Sequence, residues 1–383
     1  MTLQYETFCK RLQETPTCKN GKTPLHFAAL NGHEKICKML VKHVKNKNPG
    51  DNTGWSPLHS AAKKGHFEFC KIILENVEDK NPSDDFGETP LHVAASNGHL
   101  NVCKLIISNL SSNKNPGTNF GWNWTPLHNA AHNNHLEICK LFFEHVKDKN
   151  PAANQGWTPL HWAAQEGHLE VCKIFMERIE NKNPRNDDGI TPFHRAALEG
   201  HVEVCGYFME NLSDKNPGSQ SGMTPLHSAT HKGHLEVCKL IIENVVDKNP
   251  RDHLGMTPLH IAASNGYSAI CKLIIENVEN ISPTDNDNWT PLHWAAHNGN
   301  FEVCKLFIEN LVDKSPTDNL GKDAIITKSL SRLHSRYEFL FISKACQSSK
   351  NYQFFNQLGK NCTVGLARVT IEFLHSWLNK RYV

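Results

Sequence analysis

Thr158-Pro159-Leu160-His161-Trp162-Ala163-Ala164-Gln165-Glu166-Gly167-His168-Leu169-Glu170-Val171-Cys172-Lys173, running on to Asn183-Pro184, decides the architecture of this 383-residue chain. The tetrad Thr-Pro-Leu-His, or a one-residue variant of it, begins at residues 23, 56, 89, 125, 158, 191, 224, 257 and 290. Every interval is 33 residues except one of 36. A fixed period in this range marks a tandem array of supersecondary units.

The quoted stretch predicts its own local structure. Thr158 is placed to cap a helix with its hydroxyl, and Pro159 falls at the first helical position, where its missing N–H costs nothing. Gly167 suits the left-handed backbone that follows a helix C-terminus, and Asn134, which replaces it in the fourth unit, is the residue next best able to adopt it. Ala163 and Ala164 keep one helix face thin. A second helix begins near Leu169, with Val171, Cys172, Ile174 and Phe175 as its apolar face. Asn183-Pro184 then opens a polar, Gly-containing turn or hairpin loop. Such a unit cannot bury its apolar face alone, whereas stacked copies can.

The period, the Thr-Pro-Leu-His-x-Ala-Ala tetrads and the Gly-His-Leu-Glu-Val-Cys runs resemble the ankyrin repeat family over about residues 21–323. The resemblance implies an all-α ankyrin-repeat solenoid of about nine helix-turn-helix repeats. It also implies hairpin loops, a concave face made of those hairpins and the first helices, and a role in binding. Two departures from the family pattern concern the end of the second helix. Asn-Val-Glu-Asp at 76–79 stands where the family has Gly-Ala-Asp, so the helix is expected to run longer or to end on Asn, and Lys80 stands where a buried Val is usual. The domain plan is a capping helix over 1–20, the array over 21–323, and a C-terminal cap with a basic helical tail over 324–383.

Composition limits the function classes. A net charge of +2 gives no reason to expect nucleic acid or an anionic membrane as partner. The N-terminus lacks an apolar signal core, and no run of 18 apolar residues follows. Nine of the 13 cysteines (Cys37, Cys70, Cys103, Cys139, Cys172, Cys205, Cys238, Cys271, Cys304) occupy one site of successive second helices. They read as a repeated core position with copies roughly 10 Å apart, too far for a disulfide. Reduced thiols point to a cytoplasmic or nuclear protein, taken here as monomeric. The Asn-x-Ser/Thr sites are discounted as glycosylation acceptors for the same reason.

Sixteen of the 24 histidines fall at two repeat positions. The tetrad histidines are expected to hydrogen-bond the nearby Thr or backbone and to tie adjacent repeats together. His168 and Cys172 have a spacing that could suit a metal, yet the pair recurs along the array, with Cys172 expected to point inward, so no metal site is assigned. No pair differs enough from the rest to be a catalytic dyad, and no phosphate loop, nucleophile elbow or zinc-protease signature is found. The chain is read as a non-enzyme without a cofactor.

The candidate contact residues come from the hairpins. Trp55, Trp124, Trp157 and Trp289 directly precede the Thr-Pro or Ser-Pro starts, and Trp122 belongs to the hairpin that carries most of the three-residue insertion. One extra residue is placed near Ser111-Ser112 and two within 119–124, which makes that hairpin project further. Large aromatics anchor interfaces at small entropy cost. For Trp55, Trp122, Trp124 and Trp157 packing and partner binding stay equally open, while Trp162 and Trp294 are given mainly to packing. Arg195, Met223 and Met256 complete the set. The reading is a protein-protein interaction scaffold or adaptor. The alternative is a regulatory subunit or sensor: a ubiquitin-ligase adaptor, a phosphatase or kinase regulator, or a sensor that stacks a nucleotide-type ligand on indoles beside Arg185, Arg195 or Lys64. The two readings differ in geometry. A ligand site needs an indole and a cation converging within one or two repeats, and a protein groove spreads its contacts over several.

The tail has nine Lys or Arg against Glu338 and Glu372, a surplus of +7 that leaves −5 for the rest of the chain. Ile325 to Ala345 reads as one or two capping helices. Leu366, Thr370, Phe373, Leu374, Trp377 and Leu378 form a stripe expected to dock on the last repeat, with a membrane- or partner-binding helix and a recruitment box as competing readings.

Overall fold

The computed structural model of the chain describes residues 16–119 and 122–314, with side chains as far as residue 310. Of the capping helix expected over 1–20, residues 1–15 lie outside the described residues and 16–20 are irregular backbone and turn; the end of the array beyond residue 314 and the whole basic tail also lie outside them.

Among the described residues the α-helices form nine pairs. The first helices are α1 Pro24–Leu30, α3 Pro57–Lys64, α5 Pro90–Ser96, α7 Pro126–His132, α9 Pro159–Gln165, α11 Pro192–Glu199, α13 Pro225–Lys232, α15 Pro258–Asn265 and α17 Pro291–His297. Each is followed by a second helix: α2 Glu34–His43, α4 Phe67–Asn76, α6 Leu100–Asn109, α8 Leu136–His145, α10 Leu169–Arg178, α12 Val202–Asn211, α14 Leu235–Asn244, α16 Ser268–Asn277 and α18 Phe301–Lys314. Contacts divide the chain between Ser228 and Ala229, inside α13, into two compact units. Within each unit first helices pack on neighbouring first helices and second helices on second helices. This is the ankyrin-repeat solenoid that the resemblance implies.

The tetrad builds a reciprocal cap. Ser56 Oγ accepts from His59 N, and His59 Nδ1 accepts from the Ser56 backbone N–H at 3.1 Å. The same box recurs at the other described tetrads from Thr23 to Thr191 and at Thr257 and Thr290. Because Nδ1 receives a backbone N–H, the ring proton must be on Nε2, which donates forward to a carbonyl of the next hairpin. The acceptors are the carbonyls of Trp55, Glu88, Trp124, Trp157, Ile190 and Met223 in the first unit, at 2.8–3.2 Å. In the second unit His260 reaches Trp289 O at 3.1 Å.

A second row of histidines ties the repeats in the opposite direction. His66, His99, His135, His168 and His201, each just before a second helix, donate from Nε2 to Leu30, Lys63, Ser96, His132 and Gln165 O of the preceding first helix. Gly167 makes room for this stitch. Its φ is +74°, and a Cβ there would lie 2.5 Å from His201 Nδ1. Asn134 takes the same left-handed backbone, at φ 61°, in the fourth repeat.

Tetrad leucines supply the inner layer, with Leu58, Leu91, Leu127 and Leu160 all at 0 % exposure. Burial on that scale stabilises by roughly 2 kcal/mol per side chain, more than any single cap. The inner face of α10 is Val171, Cys172, Phe175 and Met176, while Ile174 is only half-buried. The cysteines of the repeated column are free, and all are buried except the partly exposed Cys304. Burial pushes the thiols of Cys37, Cys70, Cys103 and Cys271 up to about 12, as expected for core residues.

The departures from the family pattern now have a physical role. The helix α4 ends on Asn76, whose Nδ2 donates to Ile72 O at 2.8 Å. Lys80, instead of occupying a Val pocket, donates from Nζ to Leu74 O and Val77 O, so an ammonium group caps the C-terminus of α4. Asn81 Oδ1 then accepts from Leu91 N and fastens the loop to the next first helix. The equivalent contact from Asn115 to Leu127 spans 12 residues where the others span 10, which places two inserted residues in that hairpin. Phe120 and Gly121 of the insertion lie outside the described residues.

Candidate functional site

From the second repeat to the seventh, and again in the ninth, the residue before the tetrad lends its carbonyl to a histidine, so its backbone is fixed while its side chain varies. In the first unit this position holds Trp55, Glu88, Trp124, Trp157, Ile190 and Met223. The sequence-predicted residues Trp55, Trp124, Trp157 and Met223 are half-buried there, as are Trp289 and Met256 in the second unit. Trp122 differs: it is 67 % exposed, and its carbonyl accepts from Asn154 N, so the backbone is held while the indole faces solvent.

Three indoles meet across the fourth and fifth repeats. Trp124 and Trp162 are edge to face with centroids 4.9 Å apart, and Trp157 lies 5.9 Å from Trp162. His132 joins the group at 5.7 Å from Trp162. The Arg195 guanidinium of α11 lies over the Trp157 ring at 5.2 Å, a cation–π distance. It is held there by Gln165, whose Oε1 accepts from both Nε and Nη2. Burial pulls the Arg195 pKa down, opposed by the nearby Glu199 and Glu166 carboxylates. Trp124 is anchored through Nε1, which donates to Asn129 Oδ1 at 2.7 Å.

The other predicted residues form separate groups. Trp55 donates its indole N–H to Ser60 Oγ and has Lys63 Nζ 5.9 Å above its ring. In the second unit Trp289 packs on Trp294 at 5.2 Å and His297 at 5.4 Å, and Trp294 donates to Asp285 Oδ2 at 2.9 Å. Of the predicted set, the fold brings together Trp124, Trp157 and Arg195. The sequence reading omitted His132 and Gln165 and gave Trp162 to packing. Their signal was available in the register: Trp162 and Arg195 share one repeat position, as do His132 and Gln165, 33 residues apart.

His168, weighed against a metal role, donates to His132 O at 2.8 Å, while Cys172 is buried with its thiol pKa raised by desolvation. Among the described residues no helix is long and apolar enough to cross a membrane.

Comparison with known families agrees with the geometry. A family description of ankyrin repeats in three copies matches residues 3–84, 108–186, 177–252 and 237–318, and a single ankyrin repeat matches 86–119. No curated protein matches the chain.

Proposed function

The chain belongs to the ankyrin repeat family, and from that premise we propose that it is a non-enzymatic scaffold or adaptor that binds a protein through the hairpins and first helices of its fourth to sixth repeats. One observation carries the location: Trp124, Trp157 and Trp162 form a half-buried aromatic floor with the Arg195 guanidinium laid over it. The exposed Trp122 belongs to the adjoining hairpin. Clustered Trp and Arg side chains are the residues from which interface hot spots are made. The reading takes the chain as a monomer working in the cytoplasm or nucleus. The column of free, buried thiols and the net charge of +2 are consistent with that setting.

The test is affinity capture with the intact chain beside a variant carrying Trp122→Ala, Trp124→Ala and Trp157→Ala, with circular dichroism confirming that the variant is folded. Proteins retained by the first and lost by the folded second support the surface. Identical sets overturn it.

A second reading, a sensor of a flat nucleotide-type ligand, is favoured by the convergence of Arg195 on Trp157 within two repeats. Stacking there requires the ligand to displace Arg195 from the ring. ATP should then quench the tryptophan fluorescence saturably, and an Arg195→Met variant should lose that response. A linear, unsaturable response rules this reading out.

A further inference from the structure

The hairpins of the second, third, sixth, eighth and ninth repeats are each held by an Asp or Asn side chain at one position, whose Oδ1 accepts two backbone N–H groups. In the ninth repeat Asp285 Oδ1 accepts from Asp287 N at 3.0 Å and Trp289 N at 2.8 Å, and Oδ2 accepts the Trp294 indole N–H nine residues on. Asn186 holds the sixth repeat in the same way. Its Oδ1 accepts from Asp188 N at 3.1 Å and Ile190 N at 2.7 Å. Those two backbone donors determine which end of the amide is nitrogen. Nδ2 therefore takes the place of Oδ2, and the residue nine positions on is Arg195. An arginine side chain carries donors only, so it has no acceptor to offer that nitrogen. The Asn186 side chain is only 5 % exposed, and its Nδ2 has no hydrogen-bond partner.

The fifth repeat has the complementary defect. Its hairpin residue at this position is Ala153, so Trp162 meets no carboxylate, and its buried Nε1–H is likewise unpartnered. Two successive repeats thus present Trp162 Nε1, Asn186 Nδ2 and the Arg195 guanidinium. Gln165 Oε1 is the acceptor that holds Arg195. Arg185, the other cation of this hairpin, is spent on the carbonyls of Gly189 and Gly218. Glu166 Oε1 lies 3.7 Å from His132 Nδ1 and, like Glu199, acts on Arg195 only at longer range.

We propose that this donor-rich corner seats a carboxylate of the protein partner: an Asp or Glu of the bound segment pairs with Arg195 above Trp157, and the N–H dipoles of Trp162 and Asn186 add positive potential behind it. The proposal rests on the reading that the fourth to sixth repeats bind a protein, and it names the chemistry of that partner. A planar carboxylate matches the guanidinium fork, and the indoles beside it receive the apolar neighbours of the acidic residue. Buried, oriented dipoles stabilise an anion without direct contact.

The experiment probes the full-length chain with arrays of 12-residue peptides whose central residue is fixed as Asp, Glu, Asn, Gln or Lys while the rest vary. The expected result is retention at least tenfold higher on the Asp or Glu arrays than on the isosteric amides. A chain carrying Ala153→Asp and Asn186→Asp supplies both missing acceptors internally, as Asp285 does for Trp294, and should lower that ratio to about one while remaining folded. Equal retention on acid and amide arrays by the unaltered chain, preference for Lys, or an acid preference that survives in the folded double variant each overturns the proposal. Selection for apolar residues alone, lost on Trp124→Ala and Trp157→Ala, leaves the protein-binding surface standing and removes the carboxylate.

Discussion

The octapeptide Trp-Thr-Pro-Leu-His-Trp-Ala-Ala occurs twice, at 157–164 and at 289–296, and the two copies have different fates. In the second copy the Trp294 indole N–H is satisfied by Asp285, and among the described residues Trp289 and Trp294 pack on each other and on His297. In the first copy Ala153 stands where Asp285 does, so Trp162 keeps an unpaired donor and its pair is extended by Trp124, His132 and Arg195 from the flanking repeats. Identical local sequence gives a satisfied indole N–H in one repeat and an orphaned one in the other. What decides is one hairpin residue four positions upstream.

Acid should separate these regions most strongly. The tetrad histidines His59, His92, His161 and His194 of the first unit are lowered to about 4 because burial penalises the charged ring. His293 in the ninth repeat is half-buried and lowered by desolvation, with Asp285 opposing. A base whose folded pKa lies below its unfolded value of about 6.5 contributes stability that is complete above that pH and is lost as pH falls towards the folded value. Each such ring makes the slope steeper by up to about 1.4 kcal/mol per pH unit. The urea midpoint of the first unit's transition should therefore drop steeply between pH 7.5 and 5. An unchanged midpoint refutes the account of neutral, stitched histidines.

Next in size is the direct deletion. His161→Ala removes a fully buried ring together with its contacts to Thr158 and to Ile190 O. It should cost about 3 kcal/mol, because it strands buried polar groups, whereas His293→Ala should cost about 1 kcal/mol. Urea titration followed by circular dichroism measures both, and equal losses would dissolve the distinction.

The comparison itself can be exchanged between the copies. Asp285→Ala leaves Trp294 without its acceptor and the hairpin without Oδ1, an expected loss of about 2 kcal/mol, while Ala153→Asp should gain about 1 kcal/mol by satisfying Trp162. Thermal unfolding of the two variants should move in opposite directions. Trp122→Ala should come last, below about 0.5 kcal/mol, since its indole is 67 % exposed. A larger loss would make Trp122 a packing residue.

The period of 33 and the capped tetrads made the repeat architecture legible, and the forward ties of the tetrad histidines followed from the position of each ring beside a capping Thr or Ser, while the backward row was not foreseen. The roles of Lys80 and Asn81 were not legible, because a lysine that replaces a buried valine looks like damaged packing until its ammonium is seen on two helix-terminal carbonyls. The candidate site was only half legible. Trp124, Trp157 and Arg195 could be chosen by residue type and hairpin position, but Trp162 joins them through ring contacts made across repeats, and the acceptor it lacks at position 153 leaves no mark on its own sequence.

The forward histidine bond has a further consequence. It is made to the backbone carbonyl of the residue before the tetrad, so the bond is indifferent to whether that residue is Trp, Glu, Ile or Met. The fold grips the main chain at the same point at which it displays the side chain. Such a position can be rewritten letter by letter without reopening the question of whether the chain will fold, and an array of them is a surface free to change its preferences faster than its shape.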